Sequence, residues 1–225
     1  EIPPRSVDQS MPAMFGSGLV CTEQGHFFTN NHVIAGSKKV FVVRYANGEM
    51  ISKMPAQVIA TDPKLDIAIL RVEGWTPPTG LPAIPPPLVP SSAAKLGDEV
   101  FVLGFPLPGM VSSNVKFTRG SISDTAGIGD DASRIQHTAQ IQPGNSGGPM
   151  SLVDGRVIGV VVSTLRAEGM LRTSGVVPQG VNFSIKAEYV IQNFQKLGIA
   201  LPASSLSNDP IGHVKAYTVQ VMAER

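Results

Sequence analysis

Short apolar runs, some alternating and some continuous, recur along this chain and are closed by turn residues, a rhythm of strands rather than of helices. In the first third the runs fall at Gly18 to Cys21, His26 to Thr29, Val40 to Arg44, Ala56 to Thr61 and Ile67 to Val72. Asn47-Gly48 between two of them is a hairpin signal, because both residues tolerate the positive φ of a tight primed turn. From Trp75 to Pro90 the pattern stops, and seven prolines predict an irregular connector, since proline cannot donate to a β-ladder. A second set follows at Glu99 to Gly104, Asn114 to Ser123, Ile135 to Thr138, Pro149 to Leu152, Arg156 to Ser163 and Val181 to Ile185.

Helical spacing comes late. Val190, Ile191, Phe194 and Leu197 make one apolar face of a helix over Ala187 to Leu197, with Gly198 as its stop. Residues 1 to 14 carry three prolines and read as an extended arm. The tail from Pro202 onward is polar and then alternates over His213 to Met222, which fits either an extra strand or the start of a linker.

Composition narrows the picture. At 225 residues and 42% hydrophobic content the chain can bury a substantial core as a single all-β unit. A net charge of +1 without a dense Lys/Arg block leaves no electrostatic footprint for nucleic acid. No stretch approaches the roughly 18 apolar residues of a membrane span. The single cysteine, Cys21, cannot form an internal disulfide and reads as a small buried hydrophobe. His26, His137 and His213 lack companion ligands at metal spacing, and no cofactor is expected.

The candidate chemistry lies in Gly144-Asn145-Ser146-Gly147-Gly148-Pro149, one serine among glycines that let backbone N–H groups converge on a carbonyl oxygen. A serine hydroxyl needs a base and a carboxylate to orient that base. Thr29-Asn30-Asn31-His32-Val33 offers His32, and Leu65-Asp66-Ile67-Ala68 offers Asp66, whose charge at the mouth of an apolar run calls for a partner. Asp62 is the rival carboxylate, but with Pro63 beside it the more natural reading is a turn. The order His32, Asp66, Ser146 is that of chymotrypsin-like enzymes.

With Gly16-Ser17-Gly18, Asp62-Pro63-Lys64-Leu65-Asp66-Ile67-Ala68 and Gly180-Val181-Asn182-Phe183-Ser184-Ile185, these segments make the chain resemble the trypsin-like serine proteases of the HtrA/Deg group over residues 15 to 195. The resemblance implies two packed six-stranded antiparallel β-barrels with a C-terminal helix: a first barrel over residues 15–74, a connector over 75–95, a second barrel and helix over 96–198, and a tail over 199–225. It implies a His32, Asp66, Ser146 triad, an oxyanion hole from Gly144, Asn145 and Ser146, and substrate contacts at Gln140, Ile141, Ser163, Thr164, Gly180 and Asn182. Gln140 falls at the base of the specificity pocket, where the group usually has a small residue. Extended or unfolded protein segments are the implied substrates, a homotrimer built through the arm the implied assembly, and an exported, periplasmic setting the implied location. Residues 199–225 have no room for the PDZ domain many of the group carry, so a protease domain alone is expected. The competing reading is a peptide-binding or narrowly specific processing protein on the same fold. Two long glycine-containing segments, Asp124 to Ser133 and Leu165 to Gln179, match the group's activation loops and are expected to be mobile.

Overall fold

Among the described residues, buried side chains on twelve strands close two sheets on themselves, so that almost no edge is left for a stray strand. The computed structural model describes residues 13–46, 49–77, 82–106, 114–162, 180–203 and 206–225. Its strands are β1 (Met14–Val20), β2 (His26–Thr29), β3 (Lys39–Ala46), β4 (Glu49–Asp62), β5 (Ile67–Val72), β6 (Glu99–Gly104), β7 (Lys116–Asp124), β8 (Arg134–His137), β9 (Pro149–Leu152), β10 (Val157–Val162), β11 (Asn182–Lys186) and β12 (Thr218–Glu224). Every pairing between these strands is antiparallel. The first barrel runs β1-β12-β3-β4-β5-β2 and the second β10-β11-β8-β7-β6-β9.

The two six-stranded barrels of the expectation are therefore present, but the first is not complete within residues 15–74. Its sixth strand is β12, from the tail, inserted between β1 and β3 with Gly16 opposite Val221 and Val42 opposite Val221 on the other side. The alternation over His213 to Met222 is resolved as a helix followed by a strand rather than a linker. Helix α3 (Pro210–Tyr217) starts at Asp209, whose carboxylate accepts from the Gly212 N–H at 2.9 Å, with Pro210 in the first turn. Val219, Val221 and Ala223 then enter the first core.

β4 is longer than its apolar run. Residues 49 to 55 pair only with β3, and β5 joins from Ala56 onward, so Pro55 sits where β4 is an edge and its missing N–H is tolerated. Exposed Met50 and Ile51 break the alternation there. Ala46 stands opposite Glu49, so the Asn47-Gly48 hairpin links paired strands, although those two residues lie outside the described ones.

One apolar cluster fills the first barrel and crosses to the second through Phe101, Leu103, Val157, Val160 and Ile185, where Val190 and Phe194 of helix α2 (Ala187–Lys196) cover it. A smaller cluster around Val100, Ile122, Ile135, Met150 and Val161 fills the second barrel. Helix α2 ends as expected at Gly198, with Ile199 N–H on the Phe194 carbonyl and Gly198 N–H on that of Gln195, the double bond of a Schellman motif. The proline-rich connector contains no strand among its described residues and is held from both sides. Val157 N–H donates to Pro87, Val89 N–H returns to Val157, and from α3 the Tyr217 hydroxyl and His213 Nε2–H donate to the carbonyls of Pro82 and Ile84. Among the described residues no helix is long and apolar enough to cross a membrane.

Candidate active site

His32 reaches its place because the chain turns sharply at the end of β2 into a single helical turn, α1 (Asn31–Ile34), pinned by Val33 and Ile34 in the core. This turn was not among the elements predicted from the sequence, being too short to show a periodicity. Asp66, at the entrance to β5, captures the turn. Its carboxylate accepts from the His32 backbone N–H at 2.8 Å through Oδ1 and from His32 Nδ1–H at 2.7 Å through Oδ2. Its carbonyl accepts from Asn30 Nδ2 at 3.0 Å and from Asn31 N–H at 3.2 Å. To face this way Asp66 adopts a left-handed φ of 61°, which aspartate tolerates better than most residues. The Asp66 contact on Nδ1 leaves Nε2 as the proton-accepting nitrogen. Asp62 plays the turn role instead, accepting from Leu65 N–H at 3.1 Å.

Ser146 comes from the other barrel. Its loop is a turn in which Asn145 N–H donates to the Gln142 carbonyl at 2.9 Å, with Pro143 and Gly144 at the two central positions and Gly144 at a φ of 100°. That is a type II turn, which favours proline first and demands glycine second. Of the three residues expected to form an oxyanion hole, Asn145 has its N–H engaged inside this turn, on the Gln142 carbonyl. The loop then docks on the first barrel. Ser17 N–H donates to the Ser146 carbonyl at 2.7 Å, and a Cβ on Gly147 would strike the Ser17 carbonyl and the Thr29 hydroxyl, so only glycine fits. Ser146 is 4% exposed and Asn145 3%. The docking joins the Ser146 carbonyl to Ser17 and brings Gly147 against Ser17, Thr29 and Asn30, at the end of β2 that leads into His32. Ser17, Thr29 and Asn30 are working parts of this arrangement that the sequence reading did not single out; their signal was their place inside the motifs that carry Gly18 and His32.

The expected substrate contacts are unevenly placed. Gln140 is exposed, Ile141 is half-buried against the second core, and exposed Gly180 leads into Asn182, which lies opposite His137 in the β8–β11 ladder. Ser163, Thr164 and the Leu165 to Gln179 loop lie outside the described residues. The Asp124 to Ser133 loop is tied down more than its composition suggests. Asp131 Oδ1 accepts from both the N–H and the hydroxyl of Ser133, and the Asp131 carbonyl accepts from Gly127 N–H.

The remaining histidines are dispersed. His26 meets the Thr22 hydroxyl at 2.9 Å, and His137, wholly buried, meets the Ser184 hydroxyl at 3.1 Å. Burial pushes the His137 imidazole down to about 4, because a charge there would lose its hydration. Burial drives the Cys21 thiol upward, which leaves it unreactive.

Residues 16–160 match the family model of the trypsin-like peptidase domain. The uncharacterized protein y4bJ of Sinorhizobium fredii (strain NBRC 101917 / NGR234) is 36% identical over 202 residues, covering 90% of this chain and 30% of the relative. A probable periplasmic serine endoprotease DegP-like of Chlamydia pneumoniae is 33% identical, covering 73% of this chain and 32% of the relative. Among solved structures, the HtrA-type protease AlgW with tripeptide superposes with a TM-score of 0.62 at 30% identity, over 85% of this chain and 59% of that one. The serine endoprotease from Yersinia pestis gives 0.60 at 25%, over 87% and 60%. The chain thus spans about a third of the length of these curated relatives.

Proposed function

The chain belongs to the trypsin-like peptidase family, in its HtrA/Deg branch, and we propose that it is a serine endopeptidase cutting extended or unfolded protein segments through His32, Asp66 and Ser146. The observation that carries this reading is the pair of hydrogen bonds that the Asp66 carboxylate accepts from His32, from Nδ1–H and from the backbone N–H, in the same barrel onto which the Gly-Asn-Ser-Gly-Gly loop of the second barrel docks through Ser17.

In this mechanism His32 Nε2 takes the Ser146 proton as the hydroxyl oxygen attacks the peptide carbonyl. The N–H groups of Gly144 and Ser146 receive the oxyanion, and the imidazolium, held by Asp66, gives its proton to the leaving amine. Water then attacks the acyl-enzyme with His32 again as base, and the acid product leaves Ser146 free. The substrate adds as an extended strand beside Ser163 and Thr164 and meets Gln140, Ile141, Gly180 and Asn182. A pocket without an aspartate offers no counter-charge to a lysine or arginine side chain, so cleavage after those residues is disfavoured.

The naming of DegP-like relatives as periplasmic supports an exported setting, and assembly as a homotrimer through residues 1 to 14 belongs to the same reading. Digestion of unfolded casein, compared between the wild type and Ser146→Ala, tests the activity. Cleavage of casein that disappears in the variant, with folded globular controls left intact, is expected. Peptide binding without cleavage by either protein would make the chain a scaffold instead.

A further inference from the structure

Ser17 is a wholly buried hydroxyl on β1, a strand whose neighbours Leu19 and Val20 are core residues. Burying such a group costs free energy unless it is hydrogen-bonded, and one partner would suffice. The hydroxyl has two, both in the other barrel, and the Ser17 backbone makes two further bonds, one of them there. Its hydroxyl donates to the Gly144 carbonyl at 2.7 Å and accepts from Phe105 N–H at 2.9 Å, just beyond β6. Its own N–H donates to the Ser146 carbonyl at 2.7 Å, and its carbonyl accepts from the Thr29 hydroxyl at 2.7 Å.

Ser17 therefore grips the chain on both sides of Asn145, at the two residues whose N–H groups receive the oxyanion in the proposed reaction. The Gly144 bond matters most. Gly144 is free to adopt either sign of φ, and types I and II of a turn differ by rotation of its central peptide, here Pro143–Gly144. The Gly144 carbonyl lies in the next peptide, Gly144–Asn145, and fixing it from outside, together with the Asn145-to-Gln142 bond within, holds the closing end of the turn, so that the Gly144 N–H is carried on an anchored Cα.

We propose that the Ser17 hydroxyl is a positioning residue for peptide hydrolysis: a side chain of the first barrel that holds the Gly144 carbonyl and so keeps the oxyanion donors of the second barrel converged. The proposal rests on the serine-peptidase reading above. It makes the contact between barrels part of the catalytic machinery, since the same hydroxyl that joins β1 to Phe105 also anchors the Gly144–Asn145 peptide.

The test compares wild type, Ser17→Ala, Ser17→Thr and Tyr217→Phe with a chromogenic peptide, and measures binding of a peptide boronate, which becomes a tetrahedral anion on Ser146, and of an uncleavable substrate-like peptide. Ser17→Ala is expected to lower kcat by about ten- to a hundredfold, short of the loss from deleting a donor outright, with KM within about threefold. The boronate should weaken by a similar factor while the uncleavable peptide binds as before. Ser17→Thr, which keeps the hydroxyl, should restore most of kcat. Tyr217→Phe, which removes a remote bond between α3 and the connector, should lower Tm and leave kcat unchanged. Should Ser17→Ala fail to fold, Ser17→Cys, with its weaker donor, is read the same way. A lowered Tm with kcat and boronate affinity unchanged in Ser17→Ala would overturn the positioning role alone. A wild type that neither cleaves the peptide nor binds the boronate would overturn the peptidase reading and this inference with it.

Discussion

Asp66 works at the residue scale through two oxygens with different tasks: Oδ1 fixes the backbone of His32 and Oδ2 fixes its ring. Asp66→Asn separates them. Asparagine also tolerates the left-handed φ and keeps an oxygen for the His32 N–H, but its amide nitrogen would face Nδ1 and favour the wrong tautomer. The expected outcome is a fall in kcat of about 10⁴-fold with Tm nearly unchanged. Steady-state kinetics beside a thermal melt checks it, and equal losses of fold and activity would contradict it. Gly144→Ala carries the opposite signature. A side chain at a φ of 100° strains the turn by about 1–2 kcal/mol, and its relief rotates the oxyanion donors, so kcat should fall while His32 and Asp66 stay paired. The pairing of His32 with Asp66 was legible in the sequence because each sits in a motif with its own logic. The engagement of the Asn145 N–H was not, because it depends on a closed turn over Gln142 to Asn145 that Pro143-Gly144 permits without dictating.

Among the elements, β12 changes the fold most. The tail was read as strand or linker because polar residues before it hid an Asp209-Pro210 helix start, and because hydrophobic alternation does not say which barrel a strand joins. Its two neighbours, β1 and β3, lie far away in sequence, and only the closed barrel tells that they leave a gap between them. Removing residues 218–225 should therefore open the first barrel and expose β1, which carries Ser17. Loss of a cooperative melt, with activity lost in parallel, is the expected result, and a truncated chain that still melts cooperatively and cleaves peptide would contradict it. The α3 start gives a milder probe: Asp209→Ala should cost about 1 kcal/mol, read as a lower urea midpoint with unchanged kcat. Helix α2 and its Schellman stop, by contrast, were legible from one apolar face and one glycine.

For the whole molecule, stability and activity meet at the second barrel, where His137 is buried neutral opposite Asn182. Its imidazole is held down to about 4, below the ordinary value of 6.5, so between these two values the unfolded chain binds a proton that the folded chain refuses. The stability from this group is fully present above pH 6.5 and is lost as pH falls toward 4, an effect of roughly 3 kcal/mol. Urea unfolding at both ends of that window should show the loss in wild type and a shallower one in His137→Gln, and identical slopes would exclude His137 as the source. The two-barrel architecture carries the central claim, because His32 and Asp66 come from the first barrel and Ser146, the third member of the proposed triad, from the second. That claim is tested most directly by reacting the intact protein with a fluorophosphonate and locating the adduct by peptide mass spectrometry. One equivalent on Ser146, abolished by His32→Ala, is the predicted result; no adduct, or an adduct on another residue, would contradict it.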